Sequence, residues 1–274
     1  MKPVYSLAII IFSLLCFALP AQAEKGLSPE EAQIFLHDSG LDVLIESLAP
    51  LMEQQLNLQR LTQANQLQFE DAEQAIKQAI DSIQGNSLAI SYLTTQADVK
   101  NLKKAMEFLD SPLGKRIASE ERLASEPDAQ LEMQAYAMQM SKNPPSEQRI
   151  QLILSLTDAL NADQVMLNMM KGVFFTLVDI TEGLTPEASA GLKKDLQTEW
   201  QQLEPMVTQQ FSQLMVMSSH YTYRNLSDAE LKSYIDFLNT ESGQAYWKAG
   251  LKIVDLYLQA FAKELVAILK QERD

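Results

Sequence analysis

Methionine is the one chemically special side chain that recurs in groups along this 274-residue sequence. Met133, Met138 and Met140 form one group, Met166, Met169 and Met170 a second, and Met215 and Met217 a third. Thioethers bind Cu(I), so a soft-metal site is one chemistry the pattern allows. The groups fall inside helical patterns and lack accompanying histidines, which favours methionine as a filler of helical cores and adaptable apolar surfaces. His37 and His220 are far apart and lie in no HxxxH or HExxH frame, so no metal site is expected. The sequence holds no G-x-S-x-G, no P-loop and no G-x-G-x-x-G. Glutamates are plentiful, but the helical pattern sets them opposite the apolar stripes, where solvated charge is the default, and nothing selects a catalytic pair. The expectation is a protein that is not an enzyme, with no catalytic residue, no cofactor and no metal.

Two apolar features could bind something. Residues 165–178 are apolar nearly all round, which normally marks a helix at the centre of a bundle. The functional alternative is the floor of a groove or pocket lined by Met166, Met169, Met170, Phe174 and Phe175, taking an apolar ligand or a partner helix. The aromatic run Tyr221, Tyr223, Tyr234, Tyr246 and Trp247 could likewise line a pocket, although helix-packing aromatics are the commoner case.

These side chains must be positioned by helices. Nine glycines are few for this length, and Leu, Ala, Gln, Glu, Lys and Met abound, a composition that suits helices rather than tight hairpins. No convincing period-two strand occurs. Ser28-Pro29-Glu30-Glu31 reads as a serine N-cap, a proline at the first helical position and a glutamate closing a capping box. Ser227-Asp228-Ala229-Glu230 repeats the device, and Thr185-Pro186-Glu187 is a weaker version. Leu41, Leu44, Leu48, Leu51 and Gln55 trace one helix face; Leu192, Leu196, Trp200, Leu203, Val207, Phe211 and Leu214 trace another, which Pro205 should kink or restart.

The first residues read as an export leader. Lys2 precedes an apolar stretch from Val4 to Leu19, then Ala21-Gln22-Ala23 fits a cleavage site, so residues 1–23 should be removed and the mature chain should begin at Glu24. The stretch is shorter than the roughly 20 residues of a membrane-spanning helix. Cys16 follows Leu15, which is too large for a lipid-attachment site, and it leaves with the leader, so no disulfide or thiolate chemistry remains. A periplasmic address, with no membrane span after cleavage, follows as the expectation. The 22 basic and 36 acidic side chains give a net charge of −14, or −15 once Lys2 is lost. Such a chain is repelled by nucleic acid and by anionic lipid surfaces.

Asn143-Pro144-Pro145-Ser146 must lie between helices, because two prolines cannot sit inside one. It divides the mature chain into a first helical repeat, 24–143, and a second, 144–274. The halves share a segment: 97–114 reads ADVKNLKKAMEFLDSPLG and 226–243 reads LSDAELKSYIDFLNTESG. Ungapped, Leu102 meets Leu231, Lys103 meets Lys232, Phe108-Leu109 meets Phe237-Leu238 and Gly114 meets Gly243. Because the match includes the turn and not only the apolar period, it points to an internal duplication. In each copy a helix ends after Phe-Leu, Ser111 or Thr240 caps the next helix, and the glycine falls at that helix's third position. Glycine costs about 1 kcal/mol there relative to alanine. Its recurrence predicts a close approach of two backbones at a sharp structural corner built from Phe108, Gly114, Phe237 and Gly243. Lys115-Arg116 after Gly114 would suit an anion at a helix N-terminus, but the second copy carries Gln244-Ala245 there, so that feature is not shared.

An amphipathic helix followed by F-L-[DN]-[ST]-x-x-G and another helix, in an exported helical chain, resembles the domain of unknown function 2059 family. The likeness covers about 25 residues around each corner. The family's corner usually reads S-P-x-G, which the first copy keeps as Ser111-Pro112-Leu113-Gly114 and the second replaces with Thr240-Glu241-Ser242-Gly243. The resemblance implies a helical envelope protein and brings no catalytic residues.

The expected fold is all-α: two related multi-helix halves packed as a helical bundle or bilobed helical body. The expected function is non-enzymatic, through contact with an envelope protein partner, as adaptor, chaperone-like holder or modulator. The alternative is a binding protein that sequesters a small apolar ligand in a Met- and Phe-lined cavity. In the last helix, Trp247, Leu251, Val254, Leu258, Phe261, Leu265 and Ile268 form a heptad seam. The flanking Leu256, Tyr257 and Ala260 widen it, which favours docking on the protein's own bundle; the alternative is a seam that makes a homodimer.

Overall fold

The computed structural model describes residues 26–60, 66–126, 128–161, 167, 171 and 192–271, with backbone alone for 51–60, 66–72, 192, 193, 195 and 196. The leader, Thr185-Pro186-Glu187, and Met166, Met169, Met170, Phe174 and Phe175 lie outside the described residues. Among those described the fold is all-α, with eleven helices and no strand. They are α1 (Pro29–Asp38), α2 (Leu41–Arg60), α3 (Gln66–Ser82), α4 (Gly85–Thr95), α5 (Val99–Leu109), α6 (Pro112–Leu123), α7 (Ala129–Lys142), α8 (Glu147–Leu160), α9 (Leu192–Thr222), α10 (Asp228–Leu238) and α11 (Glu241–Gln271). No helix among the described residues is long and apolar enough to cross a membrane.

The helix starts form where the local chemistry satisfies the orphan N–H groups. Ser28 and Ser227 both make full capping boxes, with Glu31 and Glu230 reaching back to the cap backbone. Ser146 and Asp98 cap α8 and α5 with their side-chain oxygens. Pro205 does not restart its helix: α9 runs unbroken from Leu192 to Thr222, as α2 runs through Pro50. Each proline forgoes one backbone hydrogen bond and leaves the helix intact around it.

The two stretches flanking Asn143 are arranged alike. Helix α1 packs on α4 and α5, and α8 packs on α9 and α10. The Arg149 guanidinium fastens α8 to the turn before α10, donating to the Leu226 carbonyl at 2.9 Å, the Tyr223 carbonyl at 2.5 Å and the Asp228 carboxylate at 3.1 Å. The core is shared between the halves. One cluster joins Phe35, Leu93, Leu102 and Leu109 to Ile153, Leu231, Leu238 and Ile253. Helix α11 supplies much of this union, because it packs against α3, α4 and α5 as well as α10.

The buried stripe of α11 differs from the expected seam. Tyr246, Gly250, Ile253, Tyr257, Phe261 and Leu265 are buried, whereas Trp247, Leu251, Val254 and Leu258 are only partly so. Tyr246, Gly250, Ile253 and Tyr257 keep the expected four-three-four spacing but lie one residue N-terminal to the seam, and steps of four from Tyr257 bring the stripe onto it at Phe261 and Leu265. The face is docked on the protein's own helices, with Phe261 and Leu265 against Ala75, Ala79 and Ile80.

The corners are built as the recurring glycines require. The Ser111 hydroxyl donates to the Phe108 carbonyl at 2.6 Å and accepts from the Gly114 N–H at 3.1 Å. Thr240 does the same with Phe237 at 2.6 Å and Gly243 at 3.0 Å. A Cβ on Gly114 would stand 2.2 Å from the Phe108 carbonyl oxygen, and one on Gly243 would stand 2.1 Å from that of Phe237. The two corners then meet: the Phe108 and Phe237 rings stack with centroids 3.8 Å apart and planes 5° from parallel. Contact between two equivalent residues is what a local two-fold relation between the copies produces.

Candidate functional site

Helix α6 turns Gly114, Ile117 and Ala118 inward. The same face carries Glu121, four residues beyond Ile117. This carboxylate does not sit in solvent, contrary to the expectation for glutamates here; Glu73 and Glu120 are buried as well. The stem of Glu121 is half-buried, and its carboxyl faces three buried tyrosines, Tyr223, Tyr234 and Tyr246, from the turn before α10, from α10 and from α11. The Tyr223 and Tyr234 hydroxyls both donate to Glu121 Oε1, at 2.7 and 3.1 Å. The tyrosine rings continue into the corner stack, with Tyr234 6.3 Å from Phe108 and Tyr246 6.2 Å from Phe237.

A half-enclosed cavity of about 160 Å³ opens beside this cluster. Its wall includes Glu121, Leu41, Val43, Leu44, Leu160 and Trp247, whose indole N–H donates to the Leu160 carbonyl at 2.6 Å. Four of the five aromatics in the run at 221–247 therefore do line one pocket. Tyr221 is elsewhere: its hydroxyl donates to Glu132 at 2.6 Å, and the Arg224 guanidinium covers its ring at 3.9 Å.

Electrostatics define what the cluster can do. Burial pushes the Glu121 carboxyl above its ordinary range, and the hydrogen bonds from Tyr223 and Tyr234 and the nearby Arg122 charge pull it partly back. Burial, reinforced by the Glu121 charge, raises the three tyrosines, so at neutral pH they are hydroxyl donors and not phenolates. The arrangement can orient a proton acceptor or hold a small polar group. It offers no activated nucleophile. His220 is buried and its imidazole is pushed toward the neutral form by burial and then by Arg149. His37 contacts Asp42 at 3.0 Å. Among the described residues no three His, Cys, Asp or Glu side chains converge as a metal cluster. Met138 is exposed, while Met133, Met140, Met215 and Met217 are half-buried.

Glu121 was findable from sequence, because seven residues separate it from Gly114 and the helical period sets both on one face. The general rule that glutamates face water hid it. The sign of its titration gives a prediction. A carboxyl whose folded pKa is raised contributes stability that is fully present below its unfolded value and is lost as pH rises through the folded value. Over the interval above the ordinary carboxylate range, the urea midpoint of the wild type should therefore fall with rising pH relative to that of Glu121→Gln. A difference that stays constant over that interval would mean that Glu121 is as well solvated folded as unfolded.

No protein-family model, no curated protein and no solved structure matches the chain.

Proposed function

We propose that this is a non-enzymatic protein of the bacterial periplasm that works by contact with another envelope protein, as an adaptor, chaperone-like holder or modulator. The observation that carries the reading is the row Leu203, Met206 and Leu214 on α9, which are 47%, 51% and 46% exposed. Spacings of three and eight set them on one helix face, where a partner helix or strand finds a ready apolar strip. Helix α7 adds Leu131 and Met138, 69% and 63% exposed and seven residues apart. Rows of large apolar groups on one face mark interaction surfaces more often than singly scattered ones do. Leu203 and Leu214 belong to the face expected to be apolar, but the body takes up Trp200, Val207 and Phe211 and leaves these two outside.

The small-ligand alternative falls on Met166, Met169, Met170, Phe174 and Phe175, outside the described residues, and the tyrosine cavity lends it little support. Its volume of about 160 Å³ falls below the roughly 300–1,000 Å³ typical of small-molecule sites. The leader-like residues 1–23 support export, and the corner's likeness to the domain of unknown function 2059 family supports an envelope address.

Photo-crosslinking residues placed singly at Leu203, Met206 and Leu214 test the proposal in the native host, with exposed Lys263 as control. The expected result is one common adduct at all three row positions and none at Lys263. Loss of that adduct in Leu203→Glu/Met206→Glu, with an unchanged thermal melt, would establish the row as the contact. An absence of adducts at all three positions would overturn it.

A further inference from the structure

The two corners are alike, but the space beside them is filled in one copy and open in the other. In the first, the Arg116 guanidinium closes the junction between α6 and the start of α10. It donates to Glu230 Oε1 at 2.7 Å and to the Asn225 carbonyl at 2.6 Å. Carrying the ungapped register onward puts Ala245 where Arg116 stands, Asn101 where Glu230 stands and Gln96 where Asn225 stands. Ala245, Asn101 and Gln96 do come together, and between them lies a cleft of about 550 Å³. The methyl group of Ala245 cannot reach across it.

The open cleft is short of a donor. Asn101 Nδ2 donates to Asp98 Oδ2 at 2.8 Å, which fixes the amide's orientation. Its Oδ1 is shut off from water and has no hydrogen-bond partner among the described residues. Buried acceptors are nearly always paired, so this atom marks the place of a missing donor. Asp98 and Glu241 line the same cleft and outnumber its one cation, Lys248. Two helix N-termini flank it, which would favour an anion. The same pair of helix ends flanks Arg116 in the first copy, so the geometry already accommodates a guanidinium there.

We propose that the cleft between the start of α5 and the second corner is a seat for a guanidinium group, which bonds to the Asn101 side-chain oxygen and the Gln96 carbonyl as Arg116 bonds to their counterparts. A planar fork with several donors fits two separate acceptors, which a compact ammonium does less well. To reach Oδ1 the group must displace a side chain of the wall. The guanidinium comes either from an arginine of a partner chain or from free arginine. Only the first source rests on the function proposed above.

The test is a titration of the full chain with acetyl-arginine amide, acetyl-citrulline amide and free arginine, followed by nuclear magnetic resonance at the Asn101 side-chain amide. Acetyl-arginine amide should shift that resonance, and its neutral citrulline isostere should bind at least about tenfold more weakly. Ala245→Arg, which supplies the guanidinium internally, should abolish binding. Asn101→Glu, which puts there the carboxylate that Glu230 supplies to Arg116, should tighten it about tenfold and serves if the arginine variant does not fold. Equal binding of free arginine would assign the seat to a small molecule, and preference for the blocked form would assign it to a partner's side chain. Indistinguishable arginine and citrulline binding, or no shift at about 20 mM of either arginine probe, would overturn the seat. Either failure would leave the crosslinking result at α9 untouched.

Discussion

Alanine at Gly243 is expected to destabilise the protein by about 2 kcal/mol, although alanine is the better helix former. Propensity alone would give back about 1 kcal/mol on removing a glycine from a helix. Against it stands a Cβ placed 2.1 Å from the Phe237 carbonyl oxygen and 2.7 Å from Leu238 Cα. Both are backbone atoms, and neither can rotate away. The Thr240 cap and the Phe108–Phe237 stack hold the preceding helix in place, so relief requires opening the corner. Over-packing of this kind costs about 1–3 kcal/mol and occasionally more, and leucine should exceed alanine. Gly114→Ala should behave alike, since its Cβ would lie 2.2 Å from the Phe108 carbonyl. Equilibrium urea unfolding measures both. Alanine variants as stable as the wild type at both corners would show that the backbones are not in fixed contact.

Phe261→Asp should lower stability by about 5 kcal/mol or more and leave the chain wholly or largely unfolded. Phe261 is 6% exposed and packs with Leu265 against Ala75, Ala79 and Ile80, an apolar surround that would receive the new carboxylate. Truncating a buried aromatic costs about 3–5 kcal/mol by itself, and the stranded charge adds to it. Total stabilities are about 5–15 kcal/mol, so the loss approaches the whole. Phe261→Leu is the control and should cost about 1 kcal/mol. Circular dichroism melts together with sizing chromatography separate the outcomes. An unchanged melt accompanied by dissociation of a dimer would mean that this face pairs two chains.

Features written in local chemistry are legible in the residues themselves. A capping box needs only Ser28 and Glu31, three residues apart, and the folded chain forms it. The corner glycines are legible because their cost in a helix demands a steric reason. Features that depend on distant segments are not. Nothing near Glu121 announces that Tyr223 and Tyr234, more than a hundred residues away, will cover it. The heptad spacing misplaces the α11 stripe because apolar residues occur nearly all round that helix. The choice of buried face then belongs to its neighbours α3, α4 and α5, not to its own pattern. The stacking of Phe108 on Phe237 is likewise out of reach, since sequence identity between two segments does not say that they touch.

The position of α11 also fixes when the protein can fold. The helices it packs against all precede it in the chain, so the segments that share its core are made before it. At synthesis rates of about 5–20 residues per second, the apolar faces of Leu93, Leu102 and Ile80 wait about 8–37 s for Ile253, Phe261 and Leu265. The core that the two halves share therefore closes only once α11 has been made.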